Sequence, residues 1–205
     1  ENLHKLFVIS SPSGGGKTSL INKLFEDSRS ANFEKSISDT SRQKRQGDLE
    51  GKDYYFLSEK DFKDKIKKEE YVEYATVFGN FYGTSKEEIK TKYNNSNLIL
   101  ELDWQGAYAV KELFDDAKLI FLVPPSLDDL KQRLIKRNLD SSEEIESRLS
   151  EAKKEISKSE MYDYLVLNDD FDKAFEDLSQ ILFEGISPID FNSRASKDLI
   201  KRLVE

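Results

Sequence analysis

The sequence predicts an α/β fold with a parallel sheet between two layers of helices. Uniformly apolar runs, typical of strands buried on both faces, lie at 5–10, 97–102, 117–123 and 164–167. Helical patterns lie between and after these runs, at 17–26, 105–114, 127–136, about 142–161, 172–183 and 193–204. Apolar strands that alternate with helices along a chain are characteristic of such a sheet.

The composition limits the classes of protein to which the chain can belong. Its 205 residues suit one α/β unit with small inserted lobes, and no apolar run approaches the ~20 residues of a membrane span. The net charge of −8 argues against a nucleic acid polymer as partner. The lack of cysteine and of an amino-terminal targeting stretch predicts a cytoplasmic protein. The single histidine, His4, precedes the first strand, so triad or zinc chemistry based on histidine is not expected.

A glycine-rich loop joins the first apolar run to the first helix. It reads Ser11-Pro-Ser-Gly-Gly-Gly-Lys17-Thr18 and matches the phosphate-loop pattern G-x-x-x-x-G-K-[ST], except that Ser11 replaces the first glycine. Such glycines let backbone N–H groups converge on an anion, and the helix N-terminus adds partial positive charge. Lys17 can bridge the β- and γ-phosphates of a nucleotide, and the Thr18 hydroxyl can ligate Mg²⁺. The alternative is a glycine-rich turn without a ligand, which the flanking strand and helix disfavour.

Two segments interrupt the strand–helix alternation. Residues 38–84 contain a short helix opened by a capping box at 58–61 and a hairpin-like run at 71–81. Residues 126–160 are helical and basic on one side. Two lobes beside a phosphate-binding core favour an enzyme that closes over its substrates.

The first inserted segment carries a second candidate anion site. Arg42 and Arg45 lie three residues apart and can present two guanidinium groups to one anion. Tyr54 and Tyr82 each bring a hydroxyl beside a glycine-containing turn. On composition alone, a solvated basic loop with structural tyrosines is the favoured alternative.

Eight motifs, in this order and at this spacing, resemble those of guanylate kinases along nearly the whole chain. They are the loop at 11–18, Ser38-x-Thr-x-Arg-x-x-Arg-x-Gly, Gly51-Lys-Asp-Tyr-Tyr-Phe, Tyr71-Val-Glu-Tyr-Ala, Phe78-Gly-Asn-Phe-Tyr-Gly-Thr, Glu101-Leu-Asp-Trp-Gln-Gly, Leu134 flanked by Arg133 and Arg137, and Asn168-Asp-Asp. The resemblance implies a P-loop kinase core with a parallel sheet flanked by helices, an inserted mixed α+β GMP-binding lobe and a helical lid. It divides the chain into core (1–37), GMP-binding lobe (38–84), core (85–125), lid (126–160), and core with C-terminal helices (161–205).

The resemblance also implies which residues bind GMP. The GMP phosphate would be held by Arg42, Arg45, Tyr54 and Tyr82, whose hydrogen bonds suit a dianion. Glu73 would accept hydrogen bonds from guanine N1–H and the exocyclic amine, while Ser38 and Thr84 would donate to O6. Adenine lacks this combination of two donors and a carbonyl, so hydrogen-bond polarity would select the base.

Two carboxylates follow the apolar run at 97–102, at the sheet edge where ligands of open α/β sheets collect. The resemblance places Asp103 and Glu101 in the GMP-binding set. The family more often has Asp where this chain has Glu101, and the extra methylene could alter how the carboxylate reaches Mg²⁺ or Lys17. A solvated Glu101 is the alternative.

For the donor, the resemblance implies an ATP site made of Ser11, Pro12, Ser13, Gly14, Gly15, Gly16, Lys17, Thr18, Ser19, Arg133, Asn168 and Asp169. The residues implied in catalysis are Lys17, Arg42, Arg137 and Arg148, and the lid arginines would close over the transferring group. A solvated helix face is the alternative for each of these lid arginines, most of all for Arg133.

The implied reaction is in-line transfer of the γ-phosphoryl group of MgATP to GMP, and by extension to dGMP. No general base is required, because the acceptor phosphate is already largely ionised near neutral pH. Two alternatives are a non-catalytic guanylate-kinase-like domain that binds a phosphopeptide and a kinase for another nucleoside monophosphate. The intact loop argues against the first, and Glu73 with Ser38 and Thr84 argues against the second. The sequence leaves the oligomeric state open.

Overall fold

The computed structural model describes residues 3–12, 14–77, 79–137, 141–186 and 194–205. Its strands are β1 (Leu6–Ser10), β2 (Phe33–Lys35), β3 (Asp39–Thr40), β4 (Tyr55–Phe56), β5 (Tyr71–Val77), β6 (Asn80–Ser85), β7 (Asn97–Glu101), β8 (Lys118–Val123) and β9 (Tyr164–Leu167). Its α-helices are α1 (Lys17–Glu26), α2 (Glu59–Lys67), α3 (Lys86–Tyr93), α4 (Trp104–Leu113), α5 (Leu127–Arg137), α6 (Ser142–Ser157), α7 (Phe171–Ser179) and α8 (Arg194–Val204).

A five-stranded sheet in the order β2-β7-β1-β8-β9 forms the centre of the fold. All of its strand pairs are parallel, and the predicted α/β fold with a helix-flanked parallel sheet is therefore confirmed. The edge strand β2 and helix α3 were not predicted. Strand β2 spans only three residues, of which Phe33 alone is fully buried, so it has no apolar run to reveal it.

Two buried clusters lie on opposite faces of this sheet. One contains Val8 and Leu100 with residues of α4 and α6, and the other contains Ile9 and Ile99 with residues of α1 and α7. Successive residues of a strand point to opposite faces, so a strand such as β1, covered on both faces, is buried at every position. The sheet is thus fixed from both sides, and the carboxyl ends of its strands form one rigid edge.

Several predicted helices end earlier than the sequence pattern indicates. Helix α6 is followed by a 3₁₀ turn at Ser159–Met161, and α7 continues as a π-helical turn at Gln180–Glu184. Gly185, with a φ of 70°, ends that turn in a left-handed conformation that glycine adopts without strain.

A second sheet, in the order β4-β3-β6-β5, is built from residues 39–85. Strands β5 and β6 form the predicted hairpin, which continues beyond the predicted 71–81 to the pair Tyr71 and Ser85. Helix α2 packs on this sheet through Phe62, whose ring stacks on Tyr71 at 4.5 Å and on Phe81 at 5.2 Å between centroids. This packing gives the inserted segment an apolar centre of its own.

Gly83 of β6 lies directly beneath these rings. A Cβ atom there would come within 2.9 Å of Tyr71 Cδ1 and 3.0 Å of Phe62 Cζ. We expect Gly83→Ala to lower the free energy of unfolding by about 1–3 kcal/mol, because fully packed rings cannot move aside. Urea unfolding followed by circular dichroism measures the change. Thr76→Ala, at an exposed position of β5, is the control, and a Gly83 variant as stable as that control would contradict this packing.

Candidate active site

The glycine-rich loop occupies the carboxyl end of β1, the central strand of the parallel sheet. Gly14 and Gly16 have φ values of 83° and 81°, which glycine adopts without strain. At Gly15 the backbone turns back so that its N–H donates to Pro12 O at 2.9 Å, and a Cβ atom there would lie 2.9 Å from that same oxygen. The loop therefore needs glycine for steric reasons. It surrounds a cavity of about 220 Å³ that is also lined by Lys17, Thr18 and Ser19.

Residues from two other elements contact this loop. The Asn168 amide, just after β9, donates to Gly15 O, and Arg133 of α5 donates to Asn168 O at 2.8 Å. Leu134 of α5 lies so close to the loop that a Cβ atom on Gly14 would be 3.0 Å from its Cδ2. Of the predicted ATP-binding residues, Asn168 and Arg133 thus adjoin the loop. Asp169 is exposed beside Asn168.

Two predicted donor-side features fall partly outside the described residues. Ser13 is not among them, and for Arg137 the description is confined to the backbone at the end of α5. Arg148 lies on α6, where its charge helps to lower the pKa of Glu144. Helices α5 and α6 are joined by an ion pair of 2.8 Å between Lys131 Nζ and Glu146 Oε1.

The ammonium group of Lys17 lies in a buried, acidic environment. Burial lowers the pKa of Lys17, and the charges of Glu101, Glu155 and Asp103 oppose that shift. These three carboxylates come from the end of β7, from α6 and from the residue before α4. A lysine whose pKa is shifted by burial and by several nearby carboxylates, at the mouth of a cavity, is a candidate functional group.

Glu155 is a buried acidic residue that the sequence analysis did not single out. Its Oε2 atom is shielded from solvent and has no hydrogen-bond partner. Burial, together with the charges of Asp103 and Glu151, raises the pKa of Glu155 to about 7, while Lys17 opposes the shift. Its burial could have been inferred from the helical pattern. Glu155 lies directly before Ile156 and three residues after Ala152, on the side of the predicted helix where these two residues are buried.

A cleft of about 330 Å³ opens between the two sheets, next to the Lys17 environment. Its lining includes the predicted acceptor residues Ser38, Tyr54, Thr84 and Glu101. Beside it, Thr84 donates to Glu73 Oε1 at 2.7 Å, since the two residues are directly paired across β5 and β6. Burial raises the pKa of Glu73, whereas the Thr84 hydrogen bond lowers it. Glu73 is therefore a partly buried acceptor held in one position.

The predicted phosphate-binding residues of the acceptor side form one aromatic and basic group. The guanidinium carbon of Arg42 lies 5.5 Å from the centroid of the Tyr54 ring, and the Tyr54 and Tyr82 rings are 5.7 Å apart. Asp48 pairs with Arg42 at 3.0 Å and accepts the Arg45 backbone N–H at 2.7 Å. Asp48 was not predicted, although an acidic residue three positions after Arg45 is a signal for such a turn.

The two carboxylates at the end of β7 have different partners. Asp103 is exposed and caps α4, accepting a hydrogen bond from the Gly106 N–H at 2.9 Å. Glu101 Oε1 lies 2.6 Å from Lys35 Nζ, so the alternative of a solvated Glu101 is wrong. Lys35, at the end of the unpredicted strand β2, is a further residue of the site that the sequence analysis missed.

The described residues contain no group of three or more His, Cys, Asp or Glu side chains placed to hold a metal ion. Within the same ranges, no helix has both the length and the apolar character needed to cross a membrane.

The fold and the loop together define a class of protein. An open parallel sheet with a glycine-rich loop and Lys-Thr at the start of the first helix is a nucleotide-phosphate-binding protein of the P-loop class. The family model described as guanylate kinase matches residues 3–185. The chain therefore belongs to the guanylate kinase family.

Individual relatives agree with this family. The chain is 46% identical over 184 residues to a guanylate kinase of Wolbachia sp. subsp. Brugia malayi, with 89% of this chain and 93% of the relative covered. It is 48% identical over 178 residues to that of Hahella chejuensis, with 86% and 85% covered. The crystal structure of guanylate kinase from Anaplasma phagocytophilum is similar to it, with a TM-score of 0.67, 32% identity and coverage of 100% and 98% of the two chains.

The buried Glu155 carboxylate predicts a pH-dependent cost to folding. Burial raises the pKa of Glu155 from the usual 4.5 of a glutamate to about 7, so the stability contribution present below pH 4.5 is lost as the pH rises through 7. We expect Glu155→Gln to match the parent near pH 4 and to exceed it in free energy of unfolding by about 1 kcal/mol at pH 8, where solvent screening limits the gain. Urea titrations at both pH values measure the difference.

The exposed Glu160→Gln is the control for this comparison. Its difference from the parent should be the same at both pH values. A difference between Glu155→Gln and the parent that does not change with pH would contradict the assignment of a buried, ionisable Glu155.

Proposed function

We propose that this chain transfers the γ-phosphoryl group of ATP to GMP, giving ADP and GDP. The observation that carries the proposal is the position of Lys17, whose charge interacts with Glu101 on the wall of the cleft that Ser38, Tyr54 and Thr84 also line. A phosphate loop and a cleft with guanine-type hydrogen-bonding groups thus meet at one place. Membership of the guanylate kinase family supports the same reaction.

On the donor side, the loop amides and Lys17 bind the phosphates of ATP. Gly14–Gly16 leave the backbone open to close approach, and the start of α1 adds its partial positive charge. Asn168, which contacts the loop, and Arg133, which contacts Asn168, extend this site on the side of α5. Asp169 and the residues from Ser11 to Ser19 complete the proposed ATP site.

On the acceptor side, Glu73 reads the Watson–Crick edge of guanine. Its carboxylate accepts from N1–H and the exocyclic amine, while Ser38 and Thr84 donate to O6, for which Thr84 gives up its hydrogen bond to Glu73. The GMP phosphate binds to Arg42, Arg45, Tyr54 and Tyr82, where Arg42 exchanges its ion pair with Asp48 for the ligand. None of these residues is proposed to bind the 2′-hydroxyl of the ribose, so dGMP is also expected to serve as an acceptor.

The transfer itself needs positioning and charge neutralisation rather than proton transfer. A phosphate oxygen of GMP attacks the γ-phosphorus in line, and the bond to the β,γ-bridging oxygen breaks, so that ADP leaves. Lys17 and the lid arginines Arg137 and Arg148 neutralise the charge on the transferring group. Holding the two nucleotides in contact supplies the remaining rate acceleration.

The residues present fit a magnesium ion that arrives with the nucleotide. Thr18 contributes a hydroxyl to the cavity of the loop, and the charges of Glu101 and Asp103 act on the neighbouring Lys17. Few protein ligands are expected here, because Mg²⁺ is usually held by one or two protein groups together with substrate phosphates. Thr18 would hold the ion through its hydroxyl. When bound, Mg²⁺ would offset negative charge on the β- and γ-phosphates.

The lobes predicted from the sequence belong to this proposal. Residues 38–84 form the GMP-binding lobe and 126–160 the lid, while 1–37, 85–125 and 161–205 form the core. The substrates ATP and GMP or dGMP are the proposed partners, and neither a nucleic acid polymer nor a membrane is one. The cytoplasmic location stays a prediction from the sequence.

Lys17→Ala tests the donor half. We expect turnover to fall by about 10²-fold or more, because one preorganised charge on the transferring group contributes several kcal/mol. The free energy of unfolding should not decrease by a comparable amount, since burial already disfavours the charged form of Lys17. A coupled assay of ADP release measures turnover, and turnover within threefold of the parent would disprove the role of the loop.

Glu73→Gln tests the acceptor half. The change keeps the shape of the side chain but turns one acceptor oxygen into a donor that faces guanine donors. We expect kcat/KM for GMP to fall by about 10²-fold or more, with MgATP affinity almost unchanged. Glu59→Gln, exposed on α2 of the same lobe, is the matched control. If Glu73→Gln phosphorylates GMP as well as that control does, the guanine assignment fails.

A further inference from the structure

An ion pair joins the ends of two neighbouring strands at the carboxyl edge of the parallel sheet. Lys35 ends β2 and Glu101 ends β7, and their Nζ and Oε1 atoms are 2.6 Å apart. Lys35 is paired in register with Ile99, so Glu101 is its diagonal neighbour on the same face. Both side chains line the acceptor cleft. The pair therefore lies in the wall of that cleft.

The Glu101 side of this pair is protected from water, whereas the Lys35 side is not. The side chain of Glu101 is 16% exposed and that of Lys35 is 40% exposed. The Oε1 atom of Glu101 is buried and makes a close ionic contact with Lys35 that lacks the alignment of a hydrogen bond. A buried carboxylate oxygen keeps its charge only where a cation lies close to it. Lys35 is the cation that the structure places at this oxygen.

Lys17 is the second cation to which Glu101 is coupled. Among the charges that act on Lys17, that of Glu101 has the largest effect, ahead of Glu155 and Asp103. A carboxylate that moved fully onto Lys17 would compete with the phosphates of a nucleotide for the same ammonium group. A glutamate has the reach to turn towards either cation, because its side chain is one methylene longer than that of aspartate.

We propose that Lys35 is a positioning residue of the phosphoryl-transfer site, which holds Glu101 at the acceptor cleft and so leaves Lys17 available to the donor phosphates. This inference rests on the proposed function, which identifies the donor as ATP, but its test concerns MgATP binding alone. It assigns to Lys35 no contact with either nucleotide. The charge of Lys35 also lowers the pKa of Lys17 directly, which opposes anion binding, so a loss of MgATP affinity on removing Lys35 must pass through Glu101. Removing the carboxylate charge should therefore cancel the effect of removing the lysine.

The test is a double-mutant cycle read out by MgATP affinity in the absence of GMP. Lys35→Met removes the charge and keeps the length of the side chain. We expect it to raise the Kd for MgATP by about 5- to 20-fold, within the range of coupling measured for neighbouring charges. Lys35→Arg should stay within about twofold of the parent, because a guanidinium group still pairs with Glu101. Glu101→Gln alone is the second single variant, and Glu101→Gln placed in the Lys35→Met protein should bring the Kd to within about twofold of that single variant.

A matched control removes a similar ion pair elsewhere on the core. Lys23 of α1 pairs with Asp172 at 2.8 Å, and its side chain is 37% exposed, much as that of Lys35 is. Lys23→Met should leave the Kd for MgATP unchanged. If Lys35→Met does not fold, as judged by its thermal unfolding, Lys35→Gln takes its place in the cycle.

Three outcomes would overturn the inference. They are a Kd for MgATP within twofold of the parent in Lys35→Met, a loss that Glu101→Gln does not relieve, and a rise confined to the KM for GMP, which would make Lys35 an acceptor ligand. Failure of the proposed function is distinguishable from these results. A parent protein that binds MgATP but does not phosphorylate GMP would refute the proposed reaction, while the cycle on MgATP affinity would still decide the role of Lys35.

Discussion

The site depends on one constraint, which is that the ammonium group of Lys17 lies buried at the end of the central strand. Burial lowers the pKa of Lys17, and the negative charges of Glu101, Glu155 and Asp103 partly offset that shift. Each carboxylate is supplied by a different element, and the sheet order β2-β7-β1-β8-β9 is what brings those elements together. Strand β7 adjoins β1 directly, so its carboxyl end necessarily lies beside the phosphate loop. The charge balance of the site is thus a consequence of topology.

The same carboxylates that stabilise Lys17 compete with a phosphate ligand for it, so their other contacts matter. Asp103 is held by its cap on α4, and Glu101 is held by Lys35. Glu155 has an oxygen without any partner, and a buried carboxylate in that condition favours its neutral form. Two of the competitors are therefore restrained by geometry, and the raised pKa of the third leaves it partly neutral near pH 7, which lessens the competition with an incoming anion for Lys17.

Much of this arrangement could be predicted from the sequence, because the loop and the buried strands depend on local patterns, while the acceptor residues followed from the resemblance to guanylate kinases. The apolar runs specify β1, β7, β8 and β9, and the Gly-Lys-Thr signature specifies the phosphate loop. The contributions of Lys35 and Glu155 could not be predicted in this way. Lys35 acts from a strand too short to show a period, and Glu155 reaches Lys17 only through the packing of α6. Both interactions join residues distant in sequence, and no local pattern encodes such a contact.

The first turn of α4 is where the donor and acceptor halves meet. Asp103 caps this turn, and its charge raises the pKa of both Glu73 on the acceptor side and Glu155 on the donor side. A Cβ atom on Gly106, in the same turn, would lie 3.1 Å from Glu73 Cγ and 3.0 Å from Leu102 Cβ. The lack of a side chain at Gly106 therefore lets the second sheet approach the core closely. The helix start is fixed by its cap and by this close packing, which keeps the Asp103 charge near both Glu73 and Glu155.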